Sequence, residues 1–382
     1  MTMPWDEKDI MTLREEFVAL ALQDGANRRE LCRRFKISPQ TAYKWLSRFK
    51  SDGLDGLEDR SRRPKTSPNQ SAMSVEKQVV ELRVQRPAWG GRKISRRLQD
   101  LGGCQVAPST VTSILHRYQL ISPEASDAGK AWRQFVHDAP NDLWQMDFKG
   151  YFPTSQGQCH PLTVLDDHLR FSLTIQACGN ERYATVKERL MDVFRLYDMP
   201  VQINTDNGGP WGSPRVPGEL SQLGVWLIRL GIKLTFSRPW HPQTNGKDER
   251  FHRSLKAEVL RERAFRSLSE AQLAFDDWRN IYNHQRPHQA LQMTTPATHY
   301  RMSPRPYPET LPELEYGPED TVVKVHFHGN ARFRGELIPV SKALRGLPIA
   351  VRPKGAADGC FDVYFSHHKL CEIDLRGRKP KP

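Results

Sequence analysis

The chain has few cysteines and no long apolar run. Its 6 cysteines lie far apart, and no two of them form a Cys-x-x-Cys pair, so we expect neither a disulfide scaffold nor a cysteine-rich zinc site. No stretch approaches the ~18 consecutive apolar residues that a membrane helix needs. The N-terminus turns acidic and lacks the apolar segment of a secretory signal. These absences predict a cytoplasmic protein without a membrane partner.

Positive charge is what the chain has in excess. Its 382 residues carry a formal net charge of +13, and at about 150 residues per domain this length predicts two to four compact units. The first 120 residues hold 22 lysines and arginines against 14 acids. Uneven charge of this kind favours a polyphosphate partner such as nucleic acid, although a solvated basic face is the alternative.

Residues 1–54 predict a first helix-turn-helix domain. Three short helices are expected between residues 11 and 50, and Ser38 followed by Pro39 is typical of a helix start. The recognition helix of such a domain enters the major groove, whereas a three-helix bundle without a DNA-binding role is the alternative. The polar side chains that we expect to face DNA are those of Gln40, Thr41, Tyr43, Lys44 and Arg48.

A basic linker and a second helical unit follow. Residues 55–70 contain glycines, prolines and a run of cations, which predicts an extended linker. Residues 71–122 predict a second helix-turn-helix domain, and two such domains could span more duplex than one. The expected DNA contacts of the linker and the second domain are Arg62, Arg63, Arg92, Ser109 and Thr110.

The remaining chain predicts an α/β core and a small β-rich domain. In residues 131–300, three β-rich runs come first, and helices then alternate with strands, which predicts a mixed sheet with helices on its faces. One long helix is expected from about 242 to 263. Residues 320–375 are β-rich and punctuated by glycine and proline, which predicts a small C-terminal β-barrel.

Three acids of the core lie where structure alone does not explain them. Asp147 is inside an apolar β run, Asp206 follows the next core strand, and Glu249 is within a predicted helix. Three carboxylates on different elements of one domain can hold two divalent cations through oxygen ligands. Two such cations clamp the attacking and leaving oxygens of an in-line phosphoryl displacement. Any one of these acids, taken alone, is more often a helix cap or a solvated charge.

The motifs around these acids resemble those of a known family. They are Trp144–Asp147, Thr205–Gly208, His241–His252 and Tyr282–His288, with Thr295-Pro296 beyond them. In this order they resemble bacterial insertion-sequence transposases whose core is similar to that of retroviral integrases, the DDE group. The resemblance runs over nearly the whole chain, including the paired N-terminal domains.

The resemblance implies an activity, its cofactor and its partners. Asp147, Asp206 and Glu249 would be the catalytic and metal-binding triad of an RNase H-like core with two Mg²⁺ ions, for which Mn²⁺ would substitute. The implied reaction is cleavage at DNA 3′ ends followed by strand transfer. The implied partners are double-stranded DNA, as terminal inverted repeats and as target, and further copies of the chain in a homo-oligomer on paired ends. The implied location is the nucleoid of a bacterial cytoplasm.

Residues next to the triad are predicted to have no catalytic role. We take Asp166, Asp167 and Asp248 as structural or solvated, because the resemblance gives the metal-binding role to Asp147 and because Asp248 points about 100° away from Glu249 on a helix. Two histidines could contact metal or DNA, but histidines on a helix surface usually do neither. These histidines are His241 and His252.

Two cations on the expected helix are predicted to contact DNA. Lys256 follows Glu249 by seven residues, which returns a side chain to within ~20° of its starting direction. Arg253 lies on nearly the same stripe. The alternative for Lys256 is a surface charge that interacts only with its helix neighbours.

Two further functions stay open. A helix-turn-helix regulator with an inactive core would bind a specific DNA and cleave none, whereas a sequence-specific nuclease would cleave without joining. The presence of all three acids with their flanking motifs disfavours the regulator. Only the resemblance disfavours the nuclease.

Overall fold

The structure is a computed structural model that describes residues 9–60, 70–103, 105–121, 137–212, 219–236, 246–261, 263–355 and 359–376. The chain divides into two compact units, Met1–Gln70 and Ser71–Pro382. Within the described ranges, no helix is both long and apolar enough to cross a membrane.

The first unit contains the three short helices that the sequence predicts. Its helices are α1 (Ile10–Ala21), α2 (Arg28–Arg34) and α3 (Pro39–Asp52), followed by a 3₁₀ turn at Gly53–Leu57. Asn27 Oδ1 accepts a hydrogen bond from the N–H of Glu30 at 3.3 Å, and Ser38 Oγ accepts one from the N–H of Thr41 at 3.1 Å. These caps satisfy free N–H groups at the starts of α2 and α3.

The second unit begins with another group of three helices. They are α4 (Met73–Gln85), α5 (Gly91–Asp100) and α6 (Pro108–Arg117). Val79, Trp89 and Ile94 belong to their buried apolar cluster. Arg83 donates to the carbonyl oxygen of Trp89 at 2.8 Å and to that of Leu120 at 3.0 Å, which ties α4 to the segments that flank it.

A mixed six-stranded sheet forms the middle of the second unit. Its strands are β1 (Leu143–Phe148), β2 (Phe152–Thr154), β3 (Gly157–Asp166), β4 (Ser172–Cys178), β5 (Gln202–Thr205) and β6 (Lys233–Phe236). Their order is β2-β3-β1-β5-β6, with β4 also paired to β3. β1, β3 and β4 are antiparallel neighbours, whereas β1, β5 and β6 run parallel. The predicted mixed sheet is confirmed, and β2 is a strand that the sequence pattern missed.

Helices cover both faces of this sheet. They are α7 (Tyr183–Tyr197), α8 (Gln222–Arg229), α9 (Gly246–Leu255), α10 (Leu268–His284) and the short α11 (Pro296–His299). Apolar residues of α7 and α8 join the cluster of Trp144 and Met146. Those of α9 and α10 join a separate cluster with Leu165 and Ile175.

The long helix expected from 242 to 263 is interrupted. Among the described residues α9 begins at Gly246, and at Lys256 it gives way to a π-helical segment, Lys256–Leu260. The wider turn places the carboxylate of Glu258 against α10, where Trp278 Nε1 donates to Glu258 Oε2 at 2.7 Å. A tertiary contact of this kind can stabilise a π-turn that local spacing does not predict.

Side chains of α10 complete the hydrogen bonding of β4, which pairs only with β3 in the described sheet. Gln272 accepts from the N–H of Ala177 at 2.8 Å and donates to the carbonyl oxygen of Ile175 at 2.9 Å. Asn283 accepts from the N–H of Ser172 and donates to its carbonyl oxygen, both at 2.9 Å. These amides take the place of a neighbouring strand, which protects the sheet edge.

The C-terminal strands form an open sheet and a hairpin. They are β7 (Thr321–Lys324), β8 (Asn330–Phe333), β9 (Glu336–Pro339), β10 (Pro348–Pro353), β11 (Cys360–Phe365) and β12 (His368–Asp374). Four of them pair in the order β12-β11-β10-β7, and β8 pairs with β9 in a separate sheet. The predicted small β-barrel is therefore not confirmed. The edge strand β7 has only 4 residues and is mostly exposed, and among the described strands no pairing joins it to β12.

Candidate active site

Asp147 and Asp206 lie at the ends of two neighbouring parallel strands. Asp147 is the next-to-last residue of β1, and Asp206 directly follows β5. The parallel register pairs Gln145 with Asn204, so both carboxylates leave the sheet at the same edge. Asp206 Oδ1 accepts from the N–H of Gly208 at 3.0 Å, which fixes the turn after β5.

Burial raises the pKa of both carboxyls, and the charge of Asp206 adds to the shift at Asp147. Burial is the main cause that raises the pKa of Asp147 to about 7, and the charge of Asp206 raises it further. Burial also raises the pKa of Asp206. Lys149 opposes the shift at Asp147 with a smaller effect. Two partly buried carboxylates that repel each other are a feature of functional sites more often than of structural ones.

His252 on α9 lies beside Asp147. Its Nδ1 is 3.9 Å from Asp147 Oδ2, and its Nε2 is 2.8 Å from Thr163 Oγ1. Thr163 Oγ1 donates to the carbonyl oxygen of Asp147 at 3.0 Å, so the proton of His252 belongs on Nε2. Burial lowers the pKa of His252 to about 3, which leaves the ring neutral at neutral pH. The expectation that His252 lies on the helix surface is wrong, because its ring is buried against β3.

Glu249, the third acid of the expected triad, is exposed in the first turn of α9, whereas its neighbour Asp248 is buried. Asp248 is 2% exposed, and its Oδ1 has no hydrogen-bond partner in the described part of the chain. Burial chiefly, and then the charges of Asp147 and Asp167, raise the pKa of Asp248 well above its usual value. Of the two roles expected for Asp248, structural or solvated, its burial excludes the solvated one, because α9 turns it toward the sheet.

Asp166 and Asp167 have structural partners, in agreement with their expected role. Asp166 accepts from the N–H groups of Asn141 and Leu169, both at 2.7 Å. Asp167 Oδ1 lies 2.5 Å from Lys247 Nζ. Both carboxylates are therefore occupied in holding the loop after β3 and the start of α9.

The sequence argument missed Glu181. It precedes α7, and its Oε1 lies 2.8 Å from His160 Nδ1 on β3. After the larger effect of burial, the charge of Glu181 raises the pKa of both Asp147 and Asp206. The only signal for it is an acid between a predicted strand and the start of a helix, and such acids usually just complement the helix dipole.

The two cations that follow Glu249 lie on its side of the helix. Glu249, Arg253 and Lys256 are all exposed, at helix positions i, i+4 and i+7, which share one face. Ser254 and Leu255 between them are buried. The exposed stripe of α9 is thus basic beyond its carboxylate.

The candidate DNA contacts of the first unit lie on α3. The exposed members are Gln40, Tyr43 and Lys44. Thr41 is partly buried and engaged at the helix start, where its Oγ1 lies 2.9 Å from Ser38 Oγ. Lys44 Nζ lies 4.1 Å from the ring centre of Trp45, and the guanidinium carbon of Arg48 lies 5.1 Å from it. Trp45 thus supports two cations at the surface of α3.

The candidate contacts of the second helical group lie in the first turns of α5 and α6. Arg92 and Ser109 are exposed, and Thr110 is partly buried. Three other positions that the sequence singles out lie outside the described residues: Arg62, Arg63 and His241.

The donor atoms of the site suit a hard divalent cation. Asp147 and Asp206 offer carboxylate oxygens from adjacent strands, and Mg²⁺ prefers such ligands. A cation would relieve the repulsion that raises the pKa of Asp147 after burial. In the described ranges no three His, Cys, Asp or Glu side chains are grouped closely enough to hold a metal, so Glu249 as the third ligand stays a prediction.

Family models match most of the chain. A helix-turn-helix domain matches residues 13–65, and a homeodomain-like domain matches residues 41–115. Two integrase core domain models match residues 137–242 and 230–296. The C-terminal domain of IS481 family transposases matches residues 320–381.

Two insertion-element proteins and one chain of a solved structure are similar to this chain. The chain is 29% identical over 262 residues to the insertion element IS476 39.2 kDa protein of Xanthomonas euvesicatoria, covering 66% of this chain and 72% of that protein. It is 28% identical over 159 residues to the IS407 31.7 kDa protein of Burkholderia multivorans, covering 42% of this chain and 55% of that protein. A chain of the simian T-cell lymphotropic virus intasome complex is 17% identical at a TM-score of 0.39, covering 78% of this chain and 96% of that one. Together, the family models and the insertion-element relatives support a bacterial insertion-sequence transposase with an integrase-like core.

Proposed function

We propose that this chain binds the terminal inverted repeats of its element, cleaves DNA at 3′ ends and joins those ends to target DNA with divalent metal. The observation that carries the proposal is the pair of carboxylates, Asp147 and Asp206, at one edge of the sheet. The integrase core match over residues 137–242 includes both of them. The second match, over residues 230–296, includes Glu249.

Asp147, Asp206 and Glu249 would hold two Mg²⁺ ions, and Mn²⁺ is expected to substitute for them. When bound, the ions would activate the attacking oxygen and stabilise the leaving oxygen of an in-line displacement. The residues around them fix the site, because Thr163 and the neutral ring of His252 support Asp147 from the neighbouring strand and helix. No covalent protein–DNA intermediate is needed, so no serine or tyrosine nucleophile is proposed.

DNA recognition is assigned to other parts of the chain. The exposed residues of α3, with the starts of α5 and α6, would read the repeats, and the linker cations would contact phosphates. Arg253 and Lys256 would hold the DNA end beside Glu249, which their exposure on the same helix face supports. Because each element has two ends, we propose that at least two copies of the chain assemble on them.

The test uses the full chain and a duplex that carries the inverted repeat flanking the gene. Asp147→Asn, Asp206→Asn and Glu249→Gln should each abolish cleavage and joining in Mg²⁺ while repeat binding is kept. Asp277→Asn is the matched control, because Asp277 is an exposed acid on α10. Near-normal strand transfer by any one triad variant would remove that residue from the site.

The same assay separates the alternatives. A wild-type chain that binds the repeat and cleaves nothing in Mg²⁺ or Mn²⁺ would be a regulator with an inactive core. A chain that cleaves without joining would be a nuclease. Cleavage followed by joining, abolished in all three triad variants, is the result that the proposal requires.

Recognition by α3 is tested separately. Gln40→Ala should relax sequence preference, because a bidentate pair of hydrogen bonds to a base edge supplies about 1–3 kcal/mol of discrimination. Lys44→Ala should weaken binding to all duplexes alike and flatten the log–log salt dependence by about one. A full chain that binds the inverted repeat no better than unrelated DNA would overturn this assignment.

A further inference from the structure

The segment Tyr282–His288 carries a motif to which the proposed chemistry gives no role. It includes the last turn of α10 and the loop that follows. On one side it contacts the helix of Glu249, since the rings of Tyr282 and Phe251 lie 4.8 Å apart in a perpendicular arrangement. Arg286 Nη2 donates to Ser254 Oγ at 2.9 Å. The segment Tyr282–His288 therefore packs against α9 and forms a hydrogen bond to it.

On its other side the same segment contacts the second helical group. Gln285 Oε1 accepts from Arg97 Nη2 of α5 at 3.1 Å. Ile281, one residue before the segment, packs against the buried apolar cluster of α4–α6. Burial chiefly, and then the charge of Arg286, lower the pKa of Lys93 on α5 to about 7, whereas Glu258 raises it. Lys93 thus interacts electrostatically with Arg286 and Glu258 from α5.

The contact at the centre is incompletely bonded. Arg286 is 4% exposed, yet its Nε and Nη1 make no hydrogen bond in the described part of the chain, and neither does Glu258 Oε1. Arg286 Nη1 and Glu258 Oε1 stand 3.6 Å apart, with side chains 5% and 1% exposed. A buried ion pair whose polar atoms lack hydrogen bonds lowers the stability of the fold. Lys93 on α5 is a second cation that interacts with the carboxylate of Glu258. A small shift of α5 would therefore change the electrostatic energy of the pair of Arg286 and Glu258, and with it the π-helical end of α9.

Building on the proposed function, we propose that Tyr282–His288 couples the second helix-turn-helix domain to the helix of Glu249. Gln285 and Arg286 are its positioning residues. DNA that binds to α5 and α6 would displace the side chains of Arg97 and Lys93. Arg286 would then transmit this displacement to α9 through its contacts with Ser254 and Glu258. Because α9 carries Glu249, the binding of an end would set the position of the third acid before chemistry begins.

Hydrogen exchange in the full chain tests this coupling without metal. Binding of the inverted-repeat duplex should slow exchange of the amides of residues 249–256 by about fivefold, the low end of typical couplings between sites. Gln285→Ala should bind the duplex with unchanged affinity but lose this protection. Arg286→Gln should lose it as well, and Arg286→Lys, which keeps a cation opposite Glu258, should retain part of it. His284→Ala is the matched control, because His284 is exposed in the same turn.

Kinetics provide a second readout. Gln285→Ala should lower kcat for cleavage of the repeat duplex with KM unchanged, because binding is kept and only the position of the acid is disturbed. Unchanged exchange of residues 249–256 on DNA binding by wild type, or equal protection in Gln285→Ala and wild type, would overturn the coupling. A wild-type chain that binds the repeat without cleaving it would overturn the proposed function instead, since the exchange measurement needs no catalysis.

Discussion

Replacing Asn283 with alanine should remove the hydrogen bonds between α10 and the edge strand β4 of the central sheet. The amide of Asn283 makes two hydrogen bonds of 2.9 Å to the backbone of Ser172 on β4. Asn283 is 3% exposed and Ser172 is 0% exposed, so water cannot readily replace the missing amide. Each buried bond contributes about 1 kcal/mol, and a buried group left unsatisfied costs about 1–3 kcal/mol. We therefore expect the free energy of unfolding of the second unit to fall by about 2–4 kcal/mol.

Urea unfolding of the full chain measures this loss. The midpoint of the second unit should shift while the slope stays the same, because the surface exposed on unfolding does not change. Asn283→Asp should be as harmful at neutral pH, since it buries a charge and removes the donor to the carbonyl oxygen of Ser172. Its stability should recover as pH falls, because the protonated carboxyl again offers a donor and an acceptor.

The control is again His284→Ala, at the exposed neighbouring position. Surface substitutions of this kind usually change stability by less than about 0.5 kcal/mol. If Asn283→Ala costs no more than this control, the amide does not act as a strand edge, and the account of how α10 is held on β4 is refuted.

Three further outcomes follow from the geometry. Asp248→Asn should stabilise the metal-free chain at pH 7 and leave its stability unchanged near pH 3.5, as measured by urea unfolding. Burial raises the pKa of Asp248, so the stability of the wild type falls as pH rises above the pKa of the unfolded chain. Equal pH dependence of the unfolding free energy in variant and wild type would contradict this. Ser38→Ala should cost about 1 kcal/mol by loss of the bond to the N–H of Thr41, seen as faster amide exchange in residues 40–42. Lys256→Ala should keep the melting temperature but reduce strand transfer and flatten its salt dependence, because a phosphate contact is lost, whereas Lys256→Arg should retain much of the activity. Wild-type joining by the alanine variant would show that Lys256 is a solvated surface charge.

Sequence reasoning works here where local chemistry decides the structure. The cap at Ser38 starts α3 as predicted, because a side chain and an N–H three residues later are enough to form it. The alternation of strands and helices likewise predicts the mixed sheet, since each element must bury one apolar face. The positions of Asp147 and Asp206 at one edge follow from the parallel pairing of β1 and β5.

The predictions fail where the outcome depends on contacts between distant elements. A barrel and an open sheet have the same alternating strands, and only pairing between the first and last strand separates them. The π-helical turn at Lys256–Leu260 depends on Trp278, which bonds to Glu258 from another helix. Helical spacing relates Asp248 to Glu249 but does not say which of them faces the sheet. That depends on how α9 is rotated, and the rotation is set by the packing of Phe251 and Leu255 in the core.

Polar residues on α10 also make contacts with a distant element that the sequence pattern does not predict, and these contacts matter for the site. Gln272, Arg279 and Asn283 recur at i, i+7 and i+11, a pattern that on sequence alone indicates a solvated stripe. In the structure all three bond to the backbone of β4, with Arg279 Nη1 donating to the carbonyl oxygen of Leu173 at 2.6 Å. Bonds to fixed backbone atoms define the rotation and height of α10 more sharply than apolar contacts do, because hydrogen bonds are directional. Since Tyr282–His288 begins in the last turn of this helix, the edge strand β4 also fixes the segment that contacts α9, the helix of Glu249.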